Sequence, residues 1–273
     1  MLTPLVVYIL GFTFGPVLYT IFLSLKDKYS GDFPTLTNYI EIIGHGQFSR
    51  AFFNTVFITL AGLALQMTTG LILALMLNRN FRGRGLMRAL LLVPLGVPTL
   101  VSAVNMSFIF GTSGYLNELL YRIGLARVPI DWASGGIKTL LVVVVADLWK
   151  VMPIVTLLLL AGLETIPGDV YEAGAVDGTT AWQRFRYITL PLLKPSITMA
   201  LILRAIDVFR IFDLPLVLAG RVTPVVATYA YFEYFAWNNE FTSAAAATIL
   251  LGMIVVFTFG YLFVAERERE GVY

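Results

Sequence analysis

The sequence predicts an all-α integral membrane protein with six transmembrane helices. Of its 273 residues, 58% are hydrophobic and 13% are charged, whereas a soluble domain carries roughly 25% charged residues. Six apolar stretches approach the length of about 20 residues that a helix needs to cross the hydrocarbon of a bilayer. Because the bilayer offers no hydrogen-bond partners to the backbone, we expect these stretches to be helical. A soluble globular domain is therefore excluded.

The six predicted spans succeed one another along the chain. They cover residues 5–25, 52–77, 89–110, 139–163, 196–218 and 244–264. The first span lacks a basic leader and is long for a signal peptide, so we expect a retained anchor. The segments between spans are shorter than the roughly 40 residues that an independent core usually requires. We therefore expect one transmembrane domain over residues 1–273, with its core at about 51–265.

Basic residues indicate how the predicted helices are oriented. The short loop between the second and third spans contains four arginines, Arg79, Arg82, Arg84 and Arg88. Short loops rich in basic residues favour the cytoplasmic side of a membrane. This loop is therefore predicted to be cytoplasmic, which places segment 164–195 and both termini on the same side.

The composition also limits the chemistry available to the chain. There is no cysteine and a single histidine, His45, which excludes a zinc site built from His and Cys ligands. We expect no metal site and no catalytic residues. The net charge of +2, without a basic stripe, argues against nucleic-acid binding. No phosphate loop of the form GxxxxGK[ST] occurs, so we expect no cofactor and no ATP bound in that mode by this chain.

Segment 164–195 is the most informative part of the sequence, and we expect two short helices in it. Pro167 suits the first turn of the first helix, and Asp169 favours its positive end. Gly178 can adopt the left-handed conformation that ends a helix. Thr179 or Thr180 can then cap the second helix.

The second short helix is predicted from an apolar stripe. Trp182, Phe185 and Ile188 recur every three residues, a spacing that brings side chains to one side of a helix. Pro191 and Pro195 are expected to end this helix, because proline cannot donate a backbone hydrogen bond.

The first short helix has two interpretations. It presents small residues, Ala173, Gly174 and Ala175, beside the acidic Glu172 and Asp177. Small side chains let the surface of a partner protein come close to the helix backbone. The alternative is an amphipathic loop that lies on lipid headgroups or packs under the helix bundle.

The stretch EAGAVDGTTAWQRFRYITLPLLKP closely resembles the EAA loop of ABC-importer permeases. The residues that match the spacing of this loop are Glu172, Ala173, Gly178, Ile188, Leu190 and Pro191. Phe185 and Pro195 match the version found in sugar importers. The one departure is Gly174, which replaces the second alanine of the pattern.

Weaker motifs extend the resemblance over essentially the whole chain. They are NY at 38–39, NT at 54–55, LLVPLGVPTLVSA in the third span, LWKVMPIVTLLLLAGLETIP in the fourth and RAIDVFRIFDLPLVL in the fifth. After its fifth helix the family has a Thr-Gly-Gly-Gly-Pro turn, whereas this chain has LAGRVTP at 218–224. The substrate class and the contact with a binding protein are therefore left open.

The resemblance implies a type I ABC importer permease of the disaccharide and maltose-type family, in the cytoplasmic (inner) membrane of a prokaryote. The implied partners are a second homologous permease subunit, two ATPase subunits that bind ATP and Mg²⁺, and an external solute-binding protein. The implied substrate is a carbohydrate, a di- or oligosaccharide. In that family the EAA loop docks into a cleft of the ATPase. The coupling residues implied here are Glu172, Ala173, Asp177, Gly178, Trp182, Phe185 and Pro191.

Polar residues also lie inside the predicted spans, where an ionisable group costs about 2.5–3.5 kcal/mol unless it has a partner or a wet cavity. Charged residues recur every three positions in the fourth and fifth spans, and such neighbours can pair on a helix. One interpretation is structural pairing between the two helices. The other is a path for the solute. The candidate path residues are Asn105, Asp147, Lys150, Asp207, Arg210 and Asp213.

Two other classes of protein fit the sequence less well than a permease. A secondary transporter driven by an ion gradient would use the intramembrane charges for coupling, but the EAA loop argues against it. An intramembrane enzyme has no support, since no His-rich cluster, nucleophile elbow or metal-ligand spacing occurs. The sequence therefore favours a permease subunit.

Overall fold

The computed structural model describes residues 3–270, which contain fourteen α-helices and no β-strand. The helices are α1 Thr3–Ile9, α2 Gly15–Ser24, α3 Thr37–Gly44, α4 Gly46–Asn78, α5 Arg84–Leu92, α6 Thr99–Ile109, α7 Tyr115–Arg122, α8 Gly136–Glu164, α9 Gly168–Val176, α10 Ala181–Arg184, α11 Leu190–Phe209, α12 Asp213–Leu218, α13 Val226–Phe235 and α14 Glu240–Glu270. Residues 1–2 and 271–273 of the predicted domain lie outside the described part. His45 is exposed and directly precedes α4.

Four helical stretches are long and apolar enough to cross a membrane. They are Val6–Ser24, Gly46–Asn78, Gly136–Glu164 and Glu240–Ala265. The first runs through α1, a π-helical segment at Leu10–Phe14 and α2. These stretches agree with the predicted first, second, fourth and sixth spans; the first is one residue shorter at each end, and the other three extend beyond the predicted bounds. A bent pair, Arg84–Gly96 and Thr99–Ile109, brings the number of candidate spans in the described chain to five if it counts as one span.

The predicted third span is wrong as a continuous helix over 89–110. Its two halves meet at 98°, after a short 3₁₀ segment at Val93–Gly96. Pro98 follows Val97, and a residue before proline is pushed out of the helical region into extended conformation. Val97 is extended, with φ −89° and ψ 125°. The proline therefore ends the first half and starts the second in a new direction.

The predicted fifth span is displaced and broken. Helix α11 begins at Leu190 instead of residue 196 and ends at Phe209, and α12 is a separate short helix. The prediction that Pro191 and Pro195 end a helix is also wrong. Pro191 occupies the first turn of α11, where no backbone donor is needed, and Pro195 is tolerated inside it. A π-helical segment, Phe185–Thr189, joins α10 to α11.

The long helices α4 and α8 form the centre of the fold and pack against each other more extensively than any other pair. They approach closely at Gly70, where a Cβ atom would lie 2.6 Å from Cγ1 of Val155. Helix α11 packs against both. Helix α14 contacts α2, α3, α11 and α13 at the periphery. Buried charges on α8 and α11 therefore lie at the helix-to-helix contacts and not in lipid.

Candidate functional site

The segment between α8 and α11 contains the first predicted short helix, α9, whereas the second is not separate, because α10 continues through the π-helical segment into α11. Helix α9 ends at Val176, and Gly178 adopts a φ of 74°, which confirms the predicted helix stop. The N–H of Gly178 donates to the carbonyl of Ala175 at 3.1 Å. A Cβ atom on Gly178 would meet nothing within 4 Å. The requirement for glycine is thus conformational, since a left-handed backbone costs other residues about 1–2 kcal/mol.

A capping box starts α10. The N–H of Gln183 donates to Oγ1 of Thr180 at 3.3 Å, and the N–H of Thr180 donates to Oε1 of Gln183 at 2.8 Å. This arrangement satisfies two backbone donors that a helix start leaves free. Of the two threonines considered as caps, Thr180 is therefore the one that acts.

Gly174 faces inward and is buried, which corrects the prediction that α9 presents it to a partner. A Cβ atom at this position would lie 2.9 Å from Cδ1 of Ile188 and 3.2 Å from Oγ1 of Thr179. The same threonine hydroxyl donates to the carbonyl of Gly174 at 2.6 Å. Glycine replaces the alanine of the EAA pattern because these two side chains occupy the space of the methyl group.

The outer face of α9 is formed by Glu172, Ala173 and Val176, together with Asp177, which directly follows the helix; all four are exposed. Positions spaced by four residues lie on the same side of a helix. Val176 is 87% exposed, and sequence reasoning missed it. Its separation of four residues from Glu172 was the available signal. An exposed apolar side chain between two carboxylates makes this face suitable for contact with another protein.

The remaining predicted coupling residues lie on the other side of the loop. The rings of Trp182 and Phe185 pack with centroids 5.6 Å apart, and Trp182 is 69% exposed. Pro191 is exposed at the start of α11. Tyr171, which sequence reasoning did not single out, joins α9 to the π-helical segment through its hydroxyl, 3.1 Å from Oγ1 of Thr189.

A buried polar network connects the three central helices. Nη2 of Arg204 on α11 donates to Oδ2 of Asp147 on α8 at 3.3 Å, and its Nε donates to Oε1 of Gln66 on α4 at 3.1 Å. Nε2 of Gln66 donates to the same Asp147 oxygen at 2.7 Å. All three side chains are buried. Gln66 was not predicted, although an amide in the middle of an apolar span was a visible signal.

The network continues along α11 toward an exposed surface. Nη1 of Arg204 donates to Oδ2 of Asp207, and Nη2 of Arg210 donates to Oδ1 of Asp207, each at 3.1 Å. The expected pairing at intervals of three therefore occurs. Asp207 and Arg210 are both exposed, whereas Arg204 is buried. The charges form a row that leads from the protein interior to its surface.

Lys150 does not join this network. Its ammonium group donates to the carbonyl oxygens of Pro94 and Val97, at the bend between α5 and α6. The other two candidate path residues also lie apart from it. Asn105 is exposed on α6, and Asp213 is partly buried at the first position of α12. The structure thus brings Asp147, Asp207 and Arg210 together around Arg204 and leaves the remaining three at separate places.

Two polar residues in the N-terminal half of α4 hold the turn in which the sequence departs from the family pattern. Nδ2 of Asn54 donates to the carbonyl of Pro224 at 2.8 Å. The N–H of Val226 donates to Oγ1 of Thr55 at 2.9 Å. The NT motif therefore anchors the connection between α12 and α13. Over the described residues, no group of three His, Asp or Glu side chains is arranged to hold a metal ion.

Comparison with known proteins shows which family the chain resembles. Residues 66–269 match a family described as the binding-protein-dependent transport system inner membrane component. The trehalose/maltose transport system permease protein MalF of Thermococcus litoralis is 36% identical over 279 residues, which cover 99% of this chain and 94% of the relative. The trehalose transport system permease protein SugA of Mycobacterium tuberculosis is 33% identical over 273 residues, which cover 96% of this chain and 86% of the relative.

Among solved structures, a chain of a bacterial alginate ABC transporter in complex with alginate pentasaccharide-bound periplasmic protein superposes with a TM-score of 0.86. The match covers 98% of this chain and 93% of that chain, at 22% identity. This likeness shows the fold, which is that of a type I ABC permease.

Proposed function

The chain belongs to the family of binding-protein-dependent transport system inner membrane components, and we propose that it is the permease subunit of an ATP-driven importer of a di- or oligosaccharide. Members of this family are multi-pass membrane transport subunits and not catalytic enzymes. The carbohydrate substrate is supported by relatives whose names refer to trehalose and maltose transport.

The proposed assembly contains a second homologous permease subunit, two ATPase subunits and an external solute-binding protein. ATP and Mg²⁺ are bound by the ATPase subunits, and this chain holds no cofactor. The assembly lies in the cytoplasmic (inner) membrane of a prokaryote, with segment 164–195 and both termini in the cytoplasm. The arginine-rich loop after α4 supports this orientation.

The observation that carries the proposal is the outer face of α9. Glu172 and Asp177 flank the exposed Val176 there, on a helix that Gly178 ends and that Tyr171 ties to the following segment. A rigid helix with an exposed apolar centre and charged edges suits a groove in a partner. We propose that this face docks into the ATPase.

The proposed coupling follows the helical chain from α9 toward the membrane. Helix α10, the π-helical segment and α11 are continuous from Ala181 to Phe209. A displacement of α9 by the ATPase therefore moves α11 and, with it, Arg204 at the centre of the buried network. Such a shift of one packed helix against its neighbours is the kind of motion that alternates access to a solute path.

The test is uptake by the reconstituted complex, compared between Glu172→Lys and the control Glu118→Lys. Both residues are exposed glutamates, but Glu118 lies on α7. We expect Glu172→Lys to abolish ATP-dependent uptake, with or without loss of the co-purifying ATPase, and Glu118→Lys to transport normally. Normal uptake by Glu172→Lys, or transport driven by an ion gradient without an ATPase, contradicts the proposal.

Orientation is tested separately by cysteine labelling, which benefits from a chain without cysteine. Cysteines at Arg82 and Gln183 should be protected from an impermeant thiol reagent applied outside intact cells, and a cysteine at Gly46 should react. Labelling at Gln183 would refute the cytoplasmic position of the coupling segment.

A further inference from the structure

A groove of about 520 Å³ lies between the end of α4 and the segment from α9 to the start of α11. Its lining includes Leu75 of α4 and Arg79, which directly follows α4, together with Leu163 of α8 and, from the later segment, Trp182, Arg184 and Phe185. The groove lies on the inner side of the loop, and none of these residues belongs to the outer face of α9. It is thus distinct from the surface proposed to meet the ATPase.

The groove combines two unpaired positive charges with an apolar lining. Among the described residues, neither the Arg79 nor the Arg184 side chain has a hydrogen bond or an ion pair, although Arg184 is partly buried. Arg84 and Arg88, which follow Arg79 in the arginine-rich segment after α4, are paired, since they contact Oε1 of Glu164 at 3.0 and 2.6 Å. Two guanidinium groups facing one groove attract an anion that can accept hydrogen bonds from both.

The position of the groove relative to the bilayer identifies the kind of anion. Arg79 directly follows Asn78, the last residue of an apolar candidate span, and therefore lies at the depth of the lipid headgroups. Ile72 and Met76 are 52% and 49% exposed, and they share a side of α4 with Arg79 because the spacing is four and then three residues. An apolar stripe thus leads from the groove along the membrane span.

The position of Trp182 also indicates that the groove lies at the depth of the lipid headgroups. Its ring borders the groove and is 69% exposed, and tryptophan is enriched at the level of the headgroups, where an apolar ring with one polar N–H is accommodated. A soluble anion without acyl chains would make no favourable contact with the apolar stripe on α4. A lipid with a neutral headgroup would bring its own positive group toward the two arginines.

We propose that this groove binds an anionic phospholipid, with the phosphate between Arg79 and Arg184 and the acyl chains along Ile72 and Met76. Basic pockets beside transmembrane helices on the cytoplasmic side are suited to such headgroups. The bound lipid would brace the start of α11 against α4. The position of the coupling segment, and hence transport, would then depend on the anionic lipid content of the membrane.

The experiment measures lipid binding to the purified full-length chain by native mass spectrometry, with phosphatidylglycerol, phosphatidylcholine and inorganic phosphate as probes. We expect selective retention of phosphatidylglycerol. In the double variant Arg79→Gln and Arg184→Gln, its affinity should fall about 30-fold, since each basic residue near the surface contributes about fivefold.

Two control variants keep the experiment interpretable. The double variant Arg79→Lys and Arg184→Lys retains both charges and should keep most of the preference. Arg82→Gln with Arg186→Gln removes two exposed arginines that do not line the groove and should bind like the original chain. A thermal unfolding midpoint for each variant establishes that it is folded. If a glutamine variant does not fold, Trp182→Ala tests the same groove and should weaken phosphatidylglycerol binding.

Three results would overturn the proposal. The first is equal retention of phosphatidylcholine and phosphatidylglycerol, which would make the groove an apolar surface without headgroup selectivity. The second is displacement of phosphatidylglycerol by millimolar inorganic phosphate, which would identify a free-anion site. The third is unchanged phosphatidylglycerol binding in the folded glutamine variant, which would show that the two arginines do not hold the lipid.

Discussion

The ammonium group of Lys150 on α8 donates to the carbonyl oxygen of Pro94 at 2.9 Å, where the chain bends by 98°. It also donates to the carbonyl of Val97. The Pro94 carbonyl also accepts from the N–H of Val97 at 3.3 Å, whereas the Val97 carbonyl accepts no backbone hydrogen bond among the described residues, and an unpaired carbonyl is costly in a bilayer. The charge of Lys150 is likewise costly without acceptors. The Lys150 ammonium group and the Val97 carbonyl therefore satisfy each other.

We therefore predict that Lys150→Met destabilises the protein. Hydrogen bonds to charged groups contribute about 1.5–3 kcal/mol each, so the variant should lose about 3 kcal/mol or more and unfold at a lower temperature in detergent. Lys150→Arg keeps donors near both carbonyls and should lose less. An unfolding midpoint of Lys150→Met equal to that of the original chain would show that the contacts are incidental.

The buried network predicts that replacing Asp147 lowers the stability of the protein more than replacing Asp207 does. Asp147→Ala leaves the buried Arg204 without its closest interior carboxylate, and breaking a buried pair costs about 3–5 kcal/mol. Asp207→Ala should also lower the unfolding temperature, but by the equivalent of about 1 kcal/mol or less, because Asp207 is exposed. Thermal unfolding of both variants in detergent measures the difference.

The same pair of variants separates structural pairing from a role in the solute path. Asp207→Ala with unchanged stability and altered solute selectivity would favour the path. If Asp207→Ala lost as much stability as Asp147→Ala, the result would contradict the exposed position of Asp207. Asp147→Ala combined with Arg204→Ala removes both charges and should recover part of the stability lost in the single variant.

The contact between α4 and α8 predicts that Gly70→Ala is destabilising. Its methyl group would lie 2.6 Å from Cγ1 of Val155, and overpacking typically costs about 1–3 kcal/mol. Gly252 on α14 is the matched control, because a Cβ atom there meets nothing within 4 Å. Gly252→Ala should be neutral or slightly stabilising. Equal unfolding temperatures for the two variants would argue against the close approach.

The turn after α9 predicts that Gly178→Val impairs coupling while the helices stay inserted. The φ of 74° makes the substitution costly by about 1–2 kcal/mol although the site is open. The docking face would then be displaced, so ATP-dependent uptake should be lost at equal permease content. Gly168→Ala, which has ordinary φ and open space, should transport normally. Full uptake by Gly178→Val would separate the turn from coupling.

The sequence by itself was sufficient to predict the structure wherever the determining interaction is local. Runs of apolar residues set the first, second, fourth and sixth spans, because the length of hydrocarbon to be crossed is constant. Gly178 and Thr180 set the ends of the short helices through their own backbone and side-chain chemistry. Even the bend at Val97 and Pro98 follows from a steric rule about neighbouring residues, although the apolar composition of the stretch concealed it.

Only the tertiary structure decided which side chains meet across the fold. Spacing along one helix indicated that Arg204 pairs with Asp207, but its buried partners Asp147 and Gln66 lie 57 and 138 residues away in sequence. The burial of Gly174 against Ile188 also depends on how α9 folds back onto the chain. Periodicity and capping act within a few residues, whereas these contacts depend on how three helices pack, and that packing is set by side-chain volumes along their whole length.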